Sequence, residues 1–133
     1  MKEQIITFET AVLAKEKGFY WKVDNYYNIP NEKLHAFKLF KTKQFKLECA
    51  KGDYVPIDWN NSKFNNICLS APTQSLLQKW LREVHDIHVV IVGSPKYSPC
   101  VMLDGTNYWR QDDELSYEEA LEMGLQQALN LIK

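Results

Sequence analysis

The chain has 133 residues and a formal net charge of −1, with 45% hydrophobic and 25% charged residues. This length and composition predict one globular domain, residues 1–133, and exclude an intrinsically disordered chain. With so little net charge, the molecule as a whole does not attract a nucleic-acid polymer or an anionic membrane surface. No apolar run approaches the roughly 18 residues of a membrane-spanning helix. We therefore expect neither nucleic acid nor a membrane as a partner.

The three cysteines, Cys49, Cys68 and Cys100, lie far apart in the sequence. An odd number of cysteines without CxxC spacing suits a reducing cytoplasm, where each thiol packs as a small core residue. The first residues are polar and acidic and carry no apolar signal segment. The sequence therefore predicts a cytoplasmic protein.

The first predicted helix covers about residues 8–17. Thr7 can cap its start, and Gly18 stands where a left-handed residue ends a helix. Its predicted contact stripe consists of Phe8, Ala11, Val12 and Lys15. Ala14 lies off this stripe, so we expect a narrow contact face and a helix at the edge of the fold.

The middle of the chain is predicted to be mainly extended. Residues 19–33 contain Asn and Pro and are expected to be irregular. Alternation of apolar and polar residues predicts strands over about 35–40 and, more clearly, 43–49. Residues 54–59 and 64–69 are expected to be short extended segments.

An amphipathic helix is predicted over about residues 73–85, with Pro72 suited to its first turn. Its apolar stripe consists of Leu76, Leu77, Trp80, Leu81 and Val84. Residues 87–92 follow at once and are almost continuously β-branched. Such a run is typical of a central strand that is covered on both faces.

The last third of the chain predicts two strands and a helix. Strands over 100–103 and 106–110 flank a tight-turn signature. Ser116 and Glu119 form a capping box that begins the third helix. Gly124 lies in the apolar face of this helix and costs about 1 kcal/mol relative to Ala, which predicts close approach of another backbone. The order of elements predicts an α+β fold, in which a small antiparallel, meander-like sheet packs against about three helices.

No motif in the chain predicts catalysis. GxSxG, P-loop and GxGxxG patterns are absent, and the five glycines are too few for phosphate-cradling loops. His85 and His88 lack a third ligand at metal-site spacing, and His85 suits the negative end of a helix. Cysteines in apolar runs stay protonated and inert. We therefore expect no enzymatic activity, no cofactor and no metal.

Aromatic residues make up 13% of the chain, and many fall in predicted loops or at strand ends. Aromatic faces that stack on a base, together with a few cations for phosphate, form a nucleotide pocket without a Gly-rich loop. An aromatic-lined subunit interface uses the same residue types, and both interpretations stay open. The predicted ligand-binding residues are Trp21, Tyr26, Tyr27, Lys46, Trp59, Arg82, Trp109 and Arg110.

Four blocks of the sequence resemble a family of small proteins from Bacteroidetes and their phages. These blocks are FETAVLAKEKGF, APTQSLLQKWLRE, IHVVI and YEEALEMGLQQALNLI. They contain mainly core leucines, a cap and a Trp, so the resemblance marks a scaffold and implies no activity. It does imply a phage origin, and compact phage proteins without catalytic motifs often block a host protein or sequester a nucleotide immune signal.

The sequence therefore predicts a non-enzymatic, phage-encoded protein that sequesters a small nucleotide-like anion. The expected ligand is a cyclic nucleotide or an ADP-ribose-derived immune signal of the host. Lysines dominate residues 33–51 and acids dominate residues 104–122, which permits head-to-tail association, and we expect a homo-oligomer. The alternative is a protein-interaction module that inhibits a host factor through its aromatic loop surface. A small hydrolase that acts on a nucleotide is a third hypothesis, less favoured than these two.

Overall fold

A computed structural model describes residues 4–36, 57–93, 95–103, 106–111 and 115–132. Within these residues the chain forms three helices and two antiparallel three-stranded sheets, which confirms the α+β fold. The predicted strand at 43–49, with Lys46 and Cys49, lies outside the described residues, as does most of the segment at 54–59. No helix in the described ranges is long and apolar enough to cross a membrane.

The elements are α1 (Phe8–Glu16), β1 (Asn25–Asn28), β2 (Lys33–Ala36), a 3-10 turn (Trp59–Asn61), β3 (Cys68–Ser70), α2 (Gln74–His85), β4 (Ile87–Val92), β5 (Ser98–Leu103), β6 (Thr106–Arg110) and α3 (Tyr117–Asn130). One sheet has the order β2-β1-β3 and the other β4-β5-β6. The segment expected to be irregular thus contains β1. This strand pairs with β2 on one side and with the distant β3 on the other, and the second pairing leaves no local sequence signal.

Helix α1 begins and ends where its caps predict, but it buries a different face. The Thr7 side chain accepts a hydrogen bond from the Thr10 backbone N–H at 3.3 Å, and Gly18 has φ +89°. The buried residues are Thr10, Ala11 and Ala14. The predicted position of Ala14 off the contact stripe is therefore wrong. Small side chains let α3 and β3 approach this face closely, so the larger residues of α1 remain half-exposed.

Helix α2 is the capped amphipathic helix expected from the sequence. The Thr73 side chain accepts a hydrogen bond from the Leu76 backbone N–H at 3.2 Å, so Pro72 precedes the cap instead of entering the first turn. Leu77, Trp80 and Leu81 are buried, whereas Val84 is 41% exposed. Asp86, with φ +54°, ends the helix in the left-handed conformation, and β4 follows directly.

Among the strands that the structure describes, β4 lies at the edge of its sheet with β5 in the centre, so its expected central position is wrong. Ile87 and Val89 are buried on one face, while Val90 on the other face is 37% exposed. The long β-branched run therefore reflects one core face and one partly open face. Helix α2 packs beside this strand, and Gln78 Nε2 donates a hydrogen bond to the Val89 carbonyl at 2.7 Å.

Helix α3 packs across β4 and β5 and also contacts α1 and α2. Its capping box is present, with the Glu119 backbone N–H 3.2 Å from Ser116 Oγ and the Ser116 N–H 3.3 Å from Glu119 Oε1. Gly124 is buried where the helix meets β4. The close neighbour is the Val89 side chain, not a backbone as expected, because the pleat of β4 points this side chain at the helix.

The starts of α1 and α2 are tied to α3 by one carboxylate. Glu122 Oε2 accepts hydrogen bonds from the Thr7 backbone N–H and hydroxyl, both at 2.9 Å, and from the Thr10 hydroxyl. Glu122 Oε1 accepts from Gln74 Nε2 at 2.9 Å. Thr10 and Gln74 are buried, so this cluster satisfies polar groups inside the helical layer.

Candidate functional site

A groove of about 510 Å³ lies between the outer side of α2 and the segment that precedes β1. We call it the α2 groove. It is lined by residues 22–25, residues 71–73 and the α2 residues Ser75, Leu76, Gln78, Lys79 and Arg82.

The wall formed by residues 22–25 is fixed by long-range backbone pairing. Val23 exchanges two hydrogen bonds with Ile57, each of 3.0 Å, and the Asn25 carbonyl accepts from the Ala71 N–H at 3.0 Å. Val23 is buried while Lys22 and Asp24 are exposed, as expected for an extended segment in which successive side chains alternate. The pairing therefore places the Lys22 and Asp24 side chains together on the outer side of this wall.

Helical spacing builds the opposite wall. Ser75, Lys79 and Arg82 are separated by four and three positions, so they lie along one side of α2. The buried residues Leu77 and Trp80 occupy the other side. Thr73, the cap of α2, stands at the end of the groove where the helix dipole is positive.

Cationic side chains outnumber acidic ones in the α2 groove. Lys22, Lys79 and Arg82 contribute positive charge, and Asp24 is the acidic residue of the lining. None of these four side chains forms an ion pair with a residue in the described ranges. Their charges are therefore available to a ligand, and the net charge of the lining favours an anion.

Of the predicted ligand-binding residues, Arg82 lines the α2 groove. Tyr26 and Trp59 are both 0% exposed, with ring centroids 4.6 Å apart. Trp59 Nε1 donates to the Val23 carbonyl at 3.2 Å, and burial raises the pKa of the Tyr26 hydroxyl above its usual value. Both rings belong to the core, which corrects the expectation that they wall a pocket. Tyr26, from the central strand β1, and Trp59, from the 3-10 turn, pack against each other in the interior.

The other predicted aromatic residues do not converge. Tyr27 is half-buried, and its hydroxyl donates to the Ile6 carbonyl at 2.6 Å. Burial, with smaller contributions from Glu122 and Glu9, raises the pKa of this hydroxyl. Trp21 packs against the core from the segment before β1, whereas Trp109 does so from β6 in the other sheet. Arg110 is exposed at the end of β6, and none of these four residues lines the α2 groove.

Sequence reasoning missed two of the three groove cations, Lys22 and Lys79. The spacing of Lys79 and Arg82 on the polar side of a predicted helix was a usable signal for a shared face. Lys22 gave no such signal, because its place in the groove depends on the pairing of Val23 with Ile57.

Cys68 is buried, and the rings of His85 and His88 contact neighbouring side chains. Burial raises the pKa of Cys68 to about 11, so this thiol is protonated at neutral pH. The His85 ring packs edge-on against Trp80 with centroids 4.7 Å apart, and His88 Nε2 lies 3.2 Å from Asp86 Oδ1. Within the described ranges, no three His, Cys, Asp or Glu side chains are grouped so that they could hold a metal ion.

The α2 groove is thus a concave surface that combines cations, amides and hydroxyls. These groups can bind an anion through charge and hydrogen bonds. The resemblance to small Bacteroidetes and phage proteins stays a prediction. Comparisons with protein-family models, with curated proteins and with solved structures find no match for this chain.

Proposed function

We propose that this protein binds a small anionic ligand in the α2 groove and does not convert it chemically. The observation that carries the proposal is the convergence of Lys22, Lys79 and Arg82, from two separate segments, on one groove without an ion-pair partner in the described ranges. A guanidinium can bind two oxygens of a phosphate or carboxylate at once, and an ammonium adds a compact charge.

The size and the polar groups of the groove suit a nucleotide-like ligand. Small-molecule pockets have volumes of about 300–1,000 Å³, and the groove, at about 510 Å³, falls within this range. With phosphate at the cations, the Asp24 carboxylate and the Asn25 amide can accept hydrogen bonds from ribose hydroxyls or a base amino group. Leu76 and Pro72 supply apolar contact in place of the buried rings of Tyr26 and Trp59.

In its specific form, the proposed ligand is a cyclic nucleotide or an ADP-ribose-derived immune signal, and the function is sequestration. A sequestering protein needs tight stoichiometric binding and no turnover. The absence of a nucleophile–base pair in the groove lining supports this form over hydrolysis.

Isothermal titration calorimetry with cyclic dinucleotides, cyclic mononucleotides, ADP-ribose and inorganic phosphate tests the proposal. We expect at least one nucleotide to bind, and Arg82→Gln to weaken its binding about tenfold or more, since a charged hydrogen bond contributes about 1.5–3 kcal/mol. Lys96→Gln is the matched control, because Lys96 is exposed and does not line the groove. No heat with any ligand at about 1 mM, or equal effects of the two substitutions, would refute the proposal.

Recovery of the ligand separates sequestration from catalysis. After incubation with the protein and denaturation, we expect the bound nucleotide to be recovered intact by liquid chromatography. Stoichiometric binding followed by release of a cleaved product would show that the groove belongs to an enzyme, contrary to the proposal.

A further inference from the structure

A second groove, of about 360 Å³, lies along α1 and shares no lining residue with the α2 groove. We call it the α1 groove. Its lining residues are Phe8, Glu9, Val12, Leu13, Glu32 and Gln126.

The floor of the α1 groove is apolar and held in place. Phe8 and Val12 are four positions apart on α1, so they lie one above the other, and both are half-buried. The Phe8 ring packs edge-to-face on Tyr27, with centroids 5.6 Å apart, and the Tyr27 hydroxyl is fixed by its bond to the Ile6 carbonyl. On one rim, Gln126 Nε2 donates to Thr10 Oγ1 at 2.9 Å. A partner therefore meets a preformed surface.

Two carboxylates from separate elements stand at this floor. Glu9 belongs to the first turn of α1, and Glu32 to the turn between β1 and β2. Both are exposed, and neither forms an ion pair within the described ranges. No lining residue is cationic. The α1 groove is thus apolar at its base and negative at its edge, the opposite charge to the α2 groove.

We propose that the α1 groove docks a short, basic, amphipathic segment of a partner protein. Two apolar side chains of a helical segment, at positions i and i+4, match the one-turn spacing of Phe8 and Val12. Lysine or arginine residues next to them meet Glu9 and Glu32, which set the orientation and speed the encounter.

The charges of the groove argue against anionic occupants and against a symmetric groove-to-groove dimer. Anionic lipid headgroups and nucleic-acid phosphates are repelled by Glu9 and Glu32. A second copy of this chain docked groove to groove about a two-fold axis would bring like carboxylates together. A basic partner segment is the occupant that satisfies both the apolar base and the acidic edge.

Fluorescence anisotropy with designed peptides tests this proposal. The probe is a fluorescein-labelled helical peptide with Leu at i and i+4 and three flanking lysines. One control peptide carries Glu in place of Lys, and the other carries Gln in place of Leu. We expect the basic Leu peptide to bind about tenfold more tightly than either control, with an affinity that falls as salt rises.

Matched substitutions in the protein locate the site. We expect Glu9→Gln combined with Glu32→Gln to weaken binding of the basic peptide about fivefold or more. Glu16→Gln, on the same helix but outside the groove, is expected to leave it unchanged. Glu9→Lys combined with Glu32→Lys is expected to invert the preference toward the acidic peptide. Circular dichroism checks that each variant is folded.

Several outcomes would overturn the proposal. The proposal is refuted if the anisotropy does not change up to about 1 mM protein, or if basic and acidic peptides bind equally well. It is also refuted if the Glu16 substitution weakens binding as much as the Glu9/Glu32 substitutions do. Self-association of the protein that blocks the peptide would identify a second copy as the occupant and would also overturn it. Amide shift changes confined to residues 8–13, 32 and 126 on peptide addition would support it.

Discussion

Gly124 on α3 lies so close to Val89 on β4 that a Cβ atom at position 124 would stand 2.6 Å from Val89 Cγ1. A glycine inside a helix costs about 1 kcal/mol relative to alanine. Here the missing methyl group lets α3 pack directly against the sheet, and the layer that contains Leu125 and Leu129 is buried as a result. The destabilising residue of the helix is therefore a stabilising residue of the fold.

We predict that Gly124→Ala lowers the free energy of unfolding by about 1–3 kcal/mol. The stiff, β-branched Val89 cannot move away cheaply, so the overpacking cost exceeds the gain in helix propensity. Urea denaturation measures the effect. In a Val89→Ala background the obstructing methyl group is absent, and there the same substitution is expected to be neutral or stabilising. An increase in stability with Val89 in place would contradict this account.

We predict that Glu122→Ala destabilises the protein by about 2–4 kcal/mol, because it leaves several donors at the starts of α1 and α2 without their acceptor. The donors affected are the Thr7 N–H and hydroxyl, the Thr10 hydroxyl and the Gln74 amide. Thermal unfolding provides the measurement. Glu118→Ala, at an exposed position of the same helix, serves as the control and is expected to cost less than about 1 kcal/mol. Similar melting temperatures for the two variants would argue against the network.

We predict that ionisation of the Cys68 thiol lowers the free energy of unfolding at alkaline pH. Burial raises its pKa from 9.0 to about 11 in the folded protein, with a smaller opposing effect of Lys15. Between these two values the unfolded chain releases the thiol proton while the folded chain retains it. The contribution of this thiol to the free energy of unfolding is therefore fully present below about pH 9, and it declines as the pH rises toward 11.

Cys68→Ala removes this contribution. We expect the unfolding free energy of the variant to fall less steeply than that of the unsubstituted protein between about pH 9 and 11, with a difference on the order of 2 kcal/mol across the range. Chemical denaturation at a series of pH values gives the two slopes. Parallel slopes would show that the thiol ionises equally in both states.

We predict that substitution of Trp59 lowers stability with little effect on ligand affinity, and that substitution of Arg82 lowers ligand affinity with little effect on stability. Trp59→Phe loses the indole bond to the Val23 carbonyl and part of a buried ring, and is expected to cost about 1–3 kcal/mol of stability. Its effect on ligand affinity is expected to be less than about twofold, because Trp59 does not line the α2 groove. Arg82→Gln should show the reverse. A large loss of affinity in folded Trp59→Phe protein would restore the indole as a binding residue.

The sequence was sufficient for features that depend on neighbouring residues. The caps Thr7, Thr73 and Ser116 bond within three positions of themselves, so their patterns are visible in the chain. Strand β1 was missed because its pairing with β3 joins distant segments. The buried face of α1 was missed for another reason: alanines carry little hydrophobic signal, and only the approach of α3 and β3 shows that this face is covered.

The residues of the candidate site also differ in whether the sequence alone could identify them. Arg82 was predicted as a cation that meets phosphate, and it lines the groove, while Lys22 joins it only through the backbone pairing of Val23 with Ile57. The prediction from aromatic content could not separate rings that fill the core from rings that face solvent. Tyr26 and Trp59 fill it, and this assignment depends on how the whole chain packs around them.

The hydrogen bond from Gln78 to the Val89 carbonyl has a consequence for the behaviour of the protein at high concentration. A β-branched strand at a sheet margin is a template on which further chains can add, the first step of fibril growth. One amide from the adjoining helix occupies a backbone acceptor in the middle of that strand. Gln78 also lines the α2 groove, so one glutamine both occupies an acceptor of β4 and forms part of the candidate binding site.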